Sequence, residues 1–308
     1  MAHAACVGDF DSDGDPDLFV GNFCDRPKEK YLLGRPIPNL LLENRGNRFV
    51  RSEQKCLQIK ARTSGAVFAD FDCDGDLDLY VSNNSKAKGL RSRNRLFENV
   101  GGRFRDSSEG NKACIIMGGR SVGVLDFDGD GLLDLFVCED WWTGKSSKLF
   151  GNKGALKFED RTSRAKLPKV LPGLGVCICD FNSDTIPDIL VSQANRLFLG
   201  RSDFTFFEAS SPCFRYPPIN REASPCGVTA ADFDRDGDFD LVVVDHSQPA
   251  HTHFFLNVGV EGGIPRFKEV TEEVGLGYSF PSWTKDRRHL KHAHVQACLL
   301  YTSPSPRD

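Results

Sequence analysis

The sequence predicts an all-β fold, a β-propeller of four-stranded antiparallel blades with five repeat units visible. Three observations predict it: an acidic loop recurs five times, a hairpin motif follows each copy, and no amphipathic helical segment lies between them. The run Asp9-Phe10-Asp11-Ser12-Asp13-Gly14-Asp15-Pro16-Asp17 returns as DFDCDGDLD from Asp70, DFDGDGLLD from Asp126, DFNSDTIPD from Asp180 and DFDRDGDFD from Asp232. A parallel α/β fold would need segments of about 10–15 residues with 3.6-residue periodicity between strands, and none is found.

The elements of a unit follow in order. Before each loop stands a small-residue and β-branched run (AVFA, SVGVL, GVCIC, GVTAA), and after it an apolar run (DLFV, DLYV, DLFV, DILV, DLVVV). These are the first and second strands. The third and fourth come from NLLLENRGNRF (from Asn39), NRLFENVGGRF (Asn94), SKLFGNKGALKF (Ser147), NRLFLGRSDFTFF (Asn195) and HFFLNVGVEGGIPRF (His253), each an alternating strand, a turn and a phenylalanine-bearing strand. Units are expected at about 4–60, 61–116, 117–171, 172–222 and 223–278 within one domain, 1–278. The phenylalanine at loop position two (Phe10, Phe71, Phe127, Phe181, Phe233) is read as packing between neighbouring blades.

Loop chemistry points to a hard cation. Positions one, three, five and nine are Asp9, Asp11, Asp13 and Asp17; Asp70, Asp72, Asp74 and Asp78; Asp126, Asp128, Asp130 and Asp134; Asp180, Asn182, Asp184 and Asp188; and Asp232, Asp234, Asp236 and Asp240. Four carboxylates within about 5 Å form six like-charge pairs at roughly 3 kcal/mol each, so closing the loop costs on the order of 20 kcal/mol unless a divalent ion offsets it. Position seven (Asp15, Asp76, Leu132, Ile186, Asp238) is expected to add a backbone carbonyl, aimed inward by a left-handed glycine at position six (Gly14, Gly75, Gly131, Gly237). An all-oxygen set on a flexible loop suits Ca2+ better than Mg2+, and up to five ions are expected. An EF-hand is excluded because position twelve holds Val20, Val81, Val137, Val191 and Val243 where that motif needs glutamate. The fourth loop is expected to bind most weakly: Asn182 replaces a carboxylate, and Thr185 stands where a β-branched residue is costly at positive φ.

These loops and their hairpins resemble FG-GAP/VCBS-type repeats of the integrin-α-like propeller superfamily. The closing FKEVTEEVGL (267–276) also looks like the cartilage acidic protein and ASPIC/UnbV group. The resemblance implies a seven-bladed extracellular propeller with structural calcium, of which this chain would be a fragment. It leaves residues 279–297 as a truncated or unassigned segment. Residues 298–308, CLLYTSPSPRD, resemble translated adapter sequence and are set aside as a non-native tail.

Binding is expected on the face opposite the acidic loops, where the variable connections lie. The candidates there are the basic residues Lys86, Lys88, Arg91 and Arg93, the pair Trp141 and Trp142, and His251 and His253. Setting Cys298 aside leaves ten of the 11 cysteines, an even set compatible with disulfides, and Cys213 and Cys226 flank one connection as a candidate pair. Strand cysteines such as Cys177 and Cys179 also suit a small core position.

Composition bounds the rest. With 40% hydrophobic and 27% charged residues and no apolar run of about 20 residues, neither a membrane-spanning helix nor a fully disordered chain is expected. The start, MAHAACVGDF, lacks a signal peptide, so an extracellular or secreted location rests on the resemblance and the cysteine content. Net charge is −4, yet 22 of the 43 acids sit in the five loops, and the other 21 face 39 bases. Outside the loops the chain is therefore strongly basic, and five bound Ca2+ would turn −4 into about +6. The expected function is a calcium-binding extracellular interaction scaffold without catalysis, with an extracellular protein or an anionic glycan as partner. Nucleic acid is not expected, since the cationic stretch at 285–294 has no aromatic platform or known motif. The alternative is a propeller-type polysaccharide lyase or hydrolase, with its site on the face opposite the calcium loops and residues such as His251 or His253 in the central cleft.

Overall fold

Each acidic loop closes a hairpin, because apolar alternation on both sides buries one strand pair while the polar loop stays in water. The first blade consists of β1 (Ala2–Gly8), β2 (Asp17–Asn22), β3 (Leu40–Asn44) and β4 (Phe49–Arg51), paired antiparallel in that order. Four more sheets repeat it: β5 (Thr63–Ala69) to β8 (Arg103–Asp106) through β6 (Asp78–Asn83) and β7 (Arg95–Val100); β9 (Gly119–Leu125), β10 (Asp134–Glu139), β11 (Lys148–Asn152) and β12 (Phe158–Asp160); β13 (Gly173–Cys179), β14 (Asp188–Gln193), β15 (Arg196–Gly200) and β16 (Phe206–Glu208); and β17 (Pro225–Ala231), β18 (Asp240–Asp245), β19 (Thr252–Glu261) and β20 (Ile264–Glu269). This computed structural model describes residues 2–23, 37–85, 92–140, 146–209, 225–245 and 252–276. Among them the one helical element is a 3-10 turn, Lys55–Leu57, and no helix is long and apolar enough to cross a membrane.

The first strands β1, β5, β9, β13 and β17 pack side by side in chain order, which makes them the inner edge of the stack. Among the described residues no contact of comparable extent joins β17 back to β1. Close approach at this edge requires glycine. A Cβ on Gly65 would lie 2.2 Å from the Arg120 carbonyl, and one on Gly175 would lie 2.6 Å from that of Cys226.

A single blade is too thin to bury an apolar face by itself, so the core is divided among the seams between blades. Four clusters result, one per seam, centred on Phe10 with Phe104, Phe71 with Phe158, Phe127 with Phe206, and Phe181 with Phe267. In each pair the position-two phenylalanine of one blade meets the fourth strand of the next, at ring separations of 5.5, 5.7, 5.6 and 6.0 Å. The expected interblade role is thus met four times. The fifth, Phe233, has no following blade among the described residues; it meets Phe254 of its own blade edge-on and stays 48% exposed, against 0–7% for the other four.

The cysteines behave differently from the disulfide expectation. No disulfide joins any two of the eight described cysteines. Several fill interior strand positions: Cys138 is fully buried, and Cys177 and Cys179 pack against the fourth-seam cluster. Burial pushes the Cys114 and Cys177 thiols up to about 12, so they act as small inert core groups. Cys24 and Cys213 lie outside the described residues, and with Cys213 the candidate pair with Cys226 does too.

Candidate metal centres

The loops are organised by their own aspartates before any ion is considered. The position-one carboxylate accepts the position-five N–H on one oxygen, at 3.1 Å for Asp9, Asp70, Asp180 and Asp232. Its other oxygen accepts the position-six N–H, at 2.7–3.2 Å, and Asp126 makes this second bond to Gly131. Position five in turn accepts the position-seven N–H on Oδ1 at 2.9–3.0 Å in all five loops. These bonds wind the backbone into a coil whose interior is lined by oxygen.

That winding needs two left-handed residues. Position six was expected to be left-handed, and Gly14, Gly75, Gly131 and Gly237 have φ of 84–100°. Position four is left-handed as well, at Ser12, Cys73, Gly129, Ser183 and Arg235 with φ of 57–67°. Thr185 takes the position-six turn at φ 72° despite its branched side chain, and its N–H still reaches Asp180 at 2.7 Å. The fourth loop therefore keeps the shared backbone shape at the cost of local strain.

Position nine closes the loop from beneath. The Oδ2 atoms of Asp17, Asp78, Asp134, Asp188 and Asp240 accept the position-two N–H at 2.8–3.2 Å. Their Oδ1 atoms accept an N–H from the third strand of the same blade: Asn44, Asn99, Asn152, Gly200 and Asn257, at 2.6–2.9 Å. The acidic loop and the outer hairpin thus share one end of each blade, as the antiparallel order requires. All five position-nine carboxylates are 0–1% exposed.

Four sets of carboxylates bring one oxygen each within 4.8 Å of one another: Asp9, Asp11 and Asp13; Asp70, Asp72 and Asp78; Asp126, Asp128 and Asp134; Asp232, Asp234 and Asp240. Oδ1 of Asp72, Asp126, Asp128 and Asn182 is buried without a hydrogen-bond partner. A buried acceptor left unmatched costs about 1–3 kcal/mol, more when charged, so these oxygens fit a cation in loops two, three and four. In the fourth loop the Asn182 amide donates to Asp184 at 2.9 Å and to the Gly263 carbonyl at 3.1 Å, which leaves its oxygen for the loop. Two position-seven side chains serve elsewhere: Asp76 accepts the Gly101 N–H at 2.7 Å and Asp238 accepts from Ser183. At Asp15, Leu132 and Ile186, as at these two, the expected metal contribution is the carbonyl.

Without an ion these carboxylates resist ionisation. Burial raises Asp11, Asp72 and Asp128, followed by repulsion from positions five and one of the same loop. Burial, opposed by two backbone N–H bonds, pushes Asp78, Asp134 and Asp188 up to about 7. Their folded pKa lies above the unfolded value of 3.8, so their support for folding is complete below about pH 4 and is lost as pH rises through 7. Metal-free protein is therefore expected to unfold at lower urea at pH 7.5 than at pH 5, by about 1–3 kcal/mol. Saturating Ca2+, which holds the carboxylates ionised, should reverse that order. Urea midpoints at the two pH values, with and without calcium, check both signs.

Of the opposite-face candidates, Lys86, Lys88, Arg91, Trp141, Trp142 and His251 lie outside the described residues. Arg93 lines a cleft at the second blade with Arg95, Asp106, Ser108 and Glu109. His253 sits on β19, third from the inner edge, where Nδ1 lies 2.7 Å from Glu269 Oε1 and the ring stacks on Phe255.

The residues that sequence reasoning passed over are the hairpin asparagines Asn44, Asn99, Asn152 and Asn257, which hold the position-nine carboxylates. Their signal was present, since an asparagine precedes the turn in four of the five hairpin motifs.

A family profile described as FG-GAP-like repeat matches residues 9–81, 126–191 and 180–243, more than half of the chain. The chain is 23% identical over 307 residues to Cartilage acidic protein 1 of Xenopus tropicalis, covering 92% of this chain and 45% of that protein, so it spans less than half of that relative's length. Two solved structures are similar at low identity. The Vibrio cholerae biofilm matrix protein Bap1 gives a TM-score of 0.46 at 15% identity, over 91% of this chain and 41% of that one. The rhamnogalacturonan lyase PL11 of Bacillus licheniformis gives 0.47 at 13%, over 86% and 50%. At these scores neither carries an activity over to this chain.

Proposed function

Since this chain belongs to the FG-GAP-like repeat family, we propose that it is a calcium-binding extracellular β-propeller that serves as a non-catalytic scaffold for a protein or an anionic glycan. The observation that carries the calcium part is the set of buried, unpartnered oxygens on Asp72, Asp126, Asp128 and Asn182, inside loops where positions one, five and nine already accept backbone N–H groups. Hard oxygen donors of this kind, on a loop held open by its own turns, suit Ca2+. The match to a relative named for cartilage supports the extracellular location.

For the partner, the support is electrostatic. Filling five loops turns the net charge from −4 to about +6, and the basic excess lies outside the loops. Calcium-loaded protein is expected to bind immobilised sulfated glycan, to release it as salt rises toward 0.5 M, and to ignore neutral dextran. Equal retention on dextran, or none on the sulfated surface, removes the glycan from the proposal. The same glycan incubated with the protein should show no new unsaturated or reducing ends; turnover would overturn the non-catalytic assignment.

A further inference from the structure

The loops are not self-contained within their blades. Asn99 donates its side-chain amide to two carbonyls, that of Leu77 in its own loop at 3.1 Å and that of Phe10 in the preceding blade's loop at 2.7 Å. Asn152 does the same with Leu133 at 3.0 Å and Phe71 at 2.7 Å. Asn257 reaches Phe181 of the preceding blade at 3.0 Å. All three side chains are 0–1% exposed, and the backbone N–H of each also holds the position-nine carboxylate of its own loop. One asparagine therefore ties two successive loops together. The carbonyl it holds in the preceding loop belongs to the peptide unit between positions two and three, immediately before a candidate ligand.

Neighbouring contacts run the same way. A Cβ on Gly102, in the second blade's hairpin, would lie 3.1 Å from Asp11 Cβ, and Asn182 meets Gly263 of the fifth blade's hairpin. The chain also contains its own comparisons. The fourth blade has Gly200 where the others have asparagine; its N–H still reaches Asp188 at 2.8 Å, but a Cβ there would lie 2.5 Å from the Pro187 carbonyl. The third loop consequently has no asparagine clasp from the blade that follows it. Asn44, in the first blade, has no preceding blade among the described residues, and its amide reaches only its own loop, at Pro16.

We propose that Asn99, Asn152 and Asn257 are positioning residues of the calcium centres, so that loops one, two and four reach full affinity only when the following blade is docked on them. This rests on the reading that the loops hold calcium. Metal binding and blade-to-blade packing then become one equilibrium, because fixing either end of the clasp restricts the other.

Calcium titration by calorimetry on the full chain tests it. Asn152→Gly copies what the fourth blade carries naturally, and it should weaken one site by tenfold or more. Asn111→Gly removes a different cross-blade amide bond, to the Leu156 carbonyl at 2.6 Å, that ends on no acidic loop, and it should leave the titration unchanged. In an Asp72→Ala background, where loop two is already disabled, Asn152→Gly should have no further effect, whereas in an Asp11→Ala background it keeps its full effect. Asn152→Ser, which retains one donor, runs alongside in case the glycine variant does not fold. Equal titrations for Asn152→Gly and Asn111→Gly, or an Asn152→Gly effect that persists in the Asp72→Ala background, overturn the clasp while leaving calcium binding intact. Absence of any calcium heat in the unmodified chain overturns the calcium reading first and the clasp with it.

Discussion

Chelating calcium from the folded protein is expected to lower its melting temperature by about 10 °C or more. Each loop brings three carboxylate oxygens within 4.8 Å of one another in four of the five units, and the repulsion among them is unscreened where an oxygen is buried. An ion that binds only the folded loop at a hundred times its dissociation constant adds about 2.7 kcal/mol per site. Several such sites together exceed the few kcal/mol that separate a stable repeat array from a frayed one. Scanning calorimetry with calcium, with excess chelator and with magnesium in place of calcium makes the measurement. Magnesium should restore less than calcium does, because the coil of backbone turns offers many oxygens without strict octahedral placement. An unchanged melting temperature on chelation would sink the metal assignment for every loop.

Phe71→Ala is expected to cost about 3–5 kcal/mol, whereas Phe233→Ala should cost about 1 kcal/mol or less. The two residues hold the same place in the repeat, and only their neighbours differ. Phe71 is fully buried, edge-on to Phe158 of the next blade in the second-seam cluster, and its removal opens a cavity lined by two blades. Phe233 is already 48% exposed. Since each blade meets only its neighbours, the lost seam should also divide the melt into two transitions, the blades before it and those after. Urea unfolding followed by far-ultraviolet dichroism reads the first effect, and the calorimetric profile reads the second. Equal losses for the two variants would mean that position two acts through its own blade and not through the seam.

The acidic loops were legible because their chemistry is local. Positions one to nine span eight peptide units, and the carboxylate-to-backbone bonds that shape them join residues two to seven apart. Spacing alone therefore groups Asp70, Asp72, Asp74 and Asp78, of which Asp70, Asp72 and Asp78 bring one oxygen each within 4.8 Å of one another. The left-handed turn at position four was not legible, since Cys73 and Arg235 carry no preference for it. It is imposed by the two position-one bonds, which pull the chain around regardless of the residue in between. Thr185 shows the same override, taking φ 72° where propensity argues against it. Cysteine number suggested disulfides, but number carries no geometry, and packing in the seams makes several of the described thiols core residues.

By itself the sequence determined the repeat, the four strands in each unit, the phenylalanine at the seam and the carboxylates gathered in each acidic loop. All of these follow from patterns a few residues long, repeated five times. Only the tertiary structure decided which blade supports which loop. The clasps from Asn99, Asn152 and Asn257 cross 89, 81 and 76 residues of chain, and no periodicity in the sequence specifies a hydrogen bond over that distance. They exist because antiparallel strands return each hairpin turn to the end of the sheet that holds the acidic loop. Stacking then sets that turn against the loop of the blade before it.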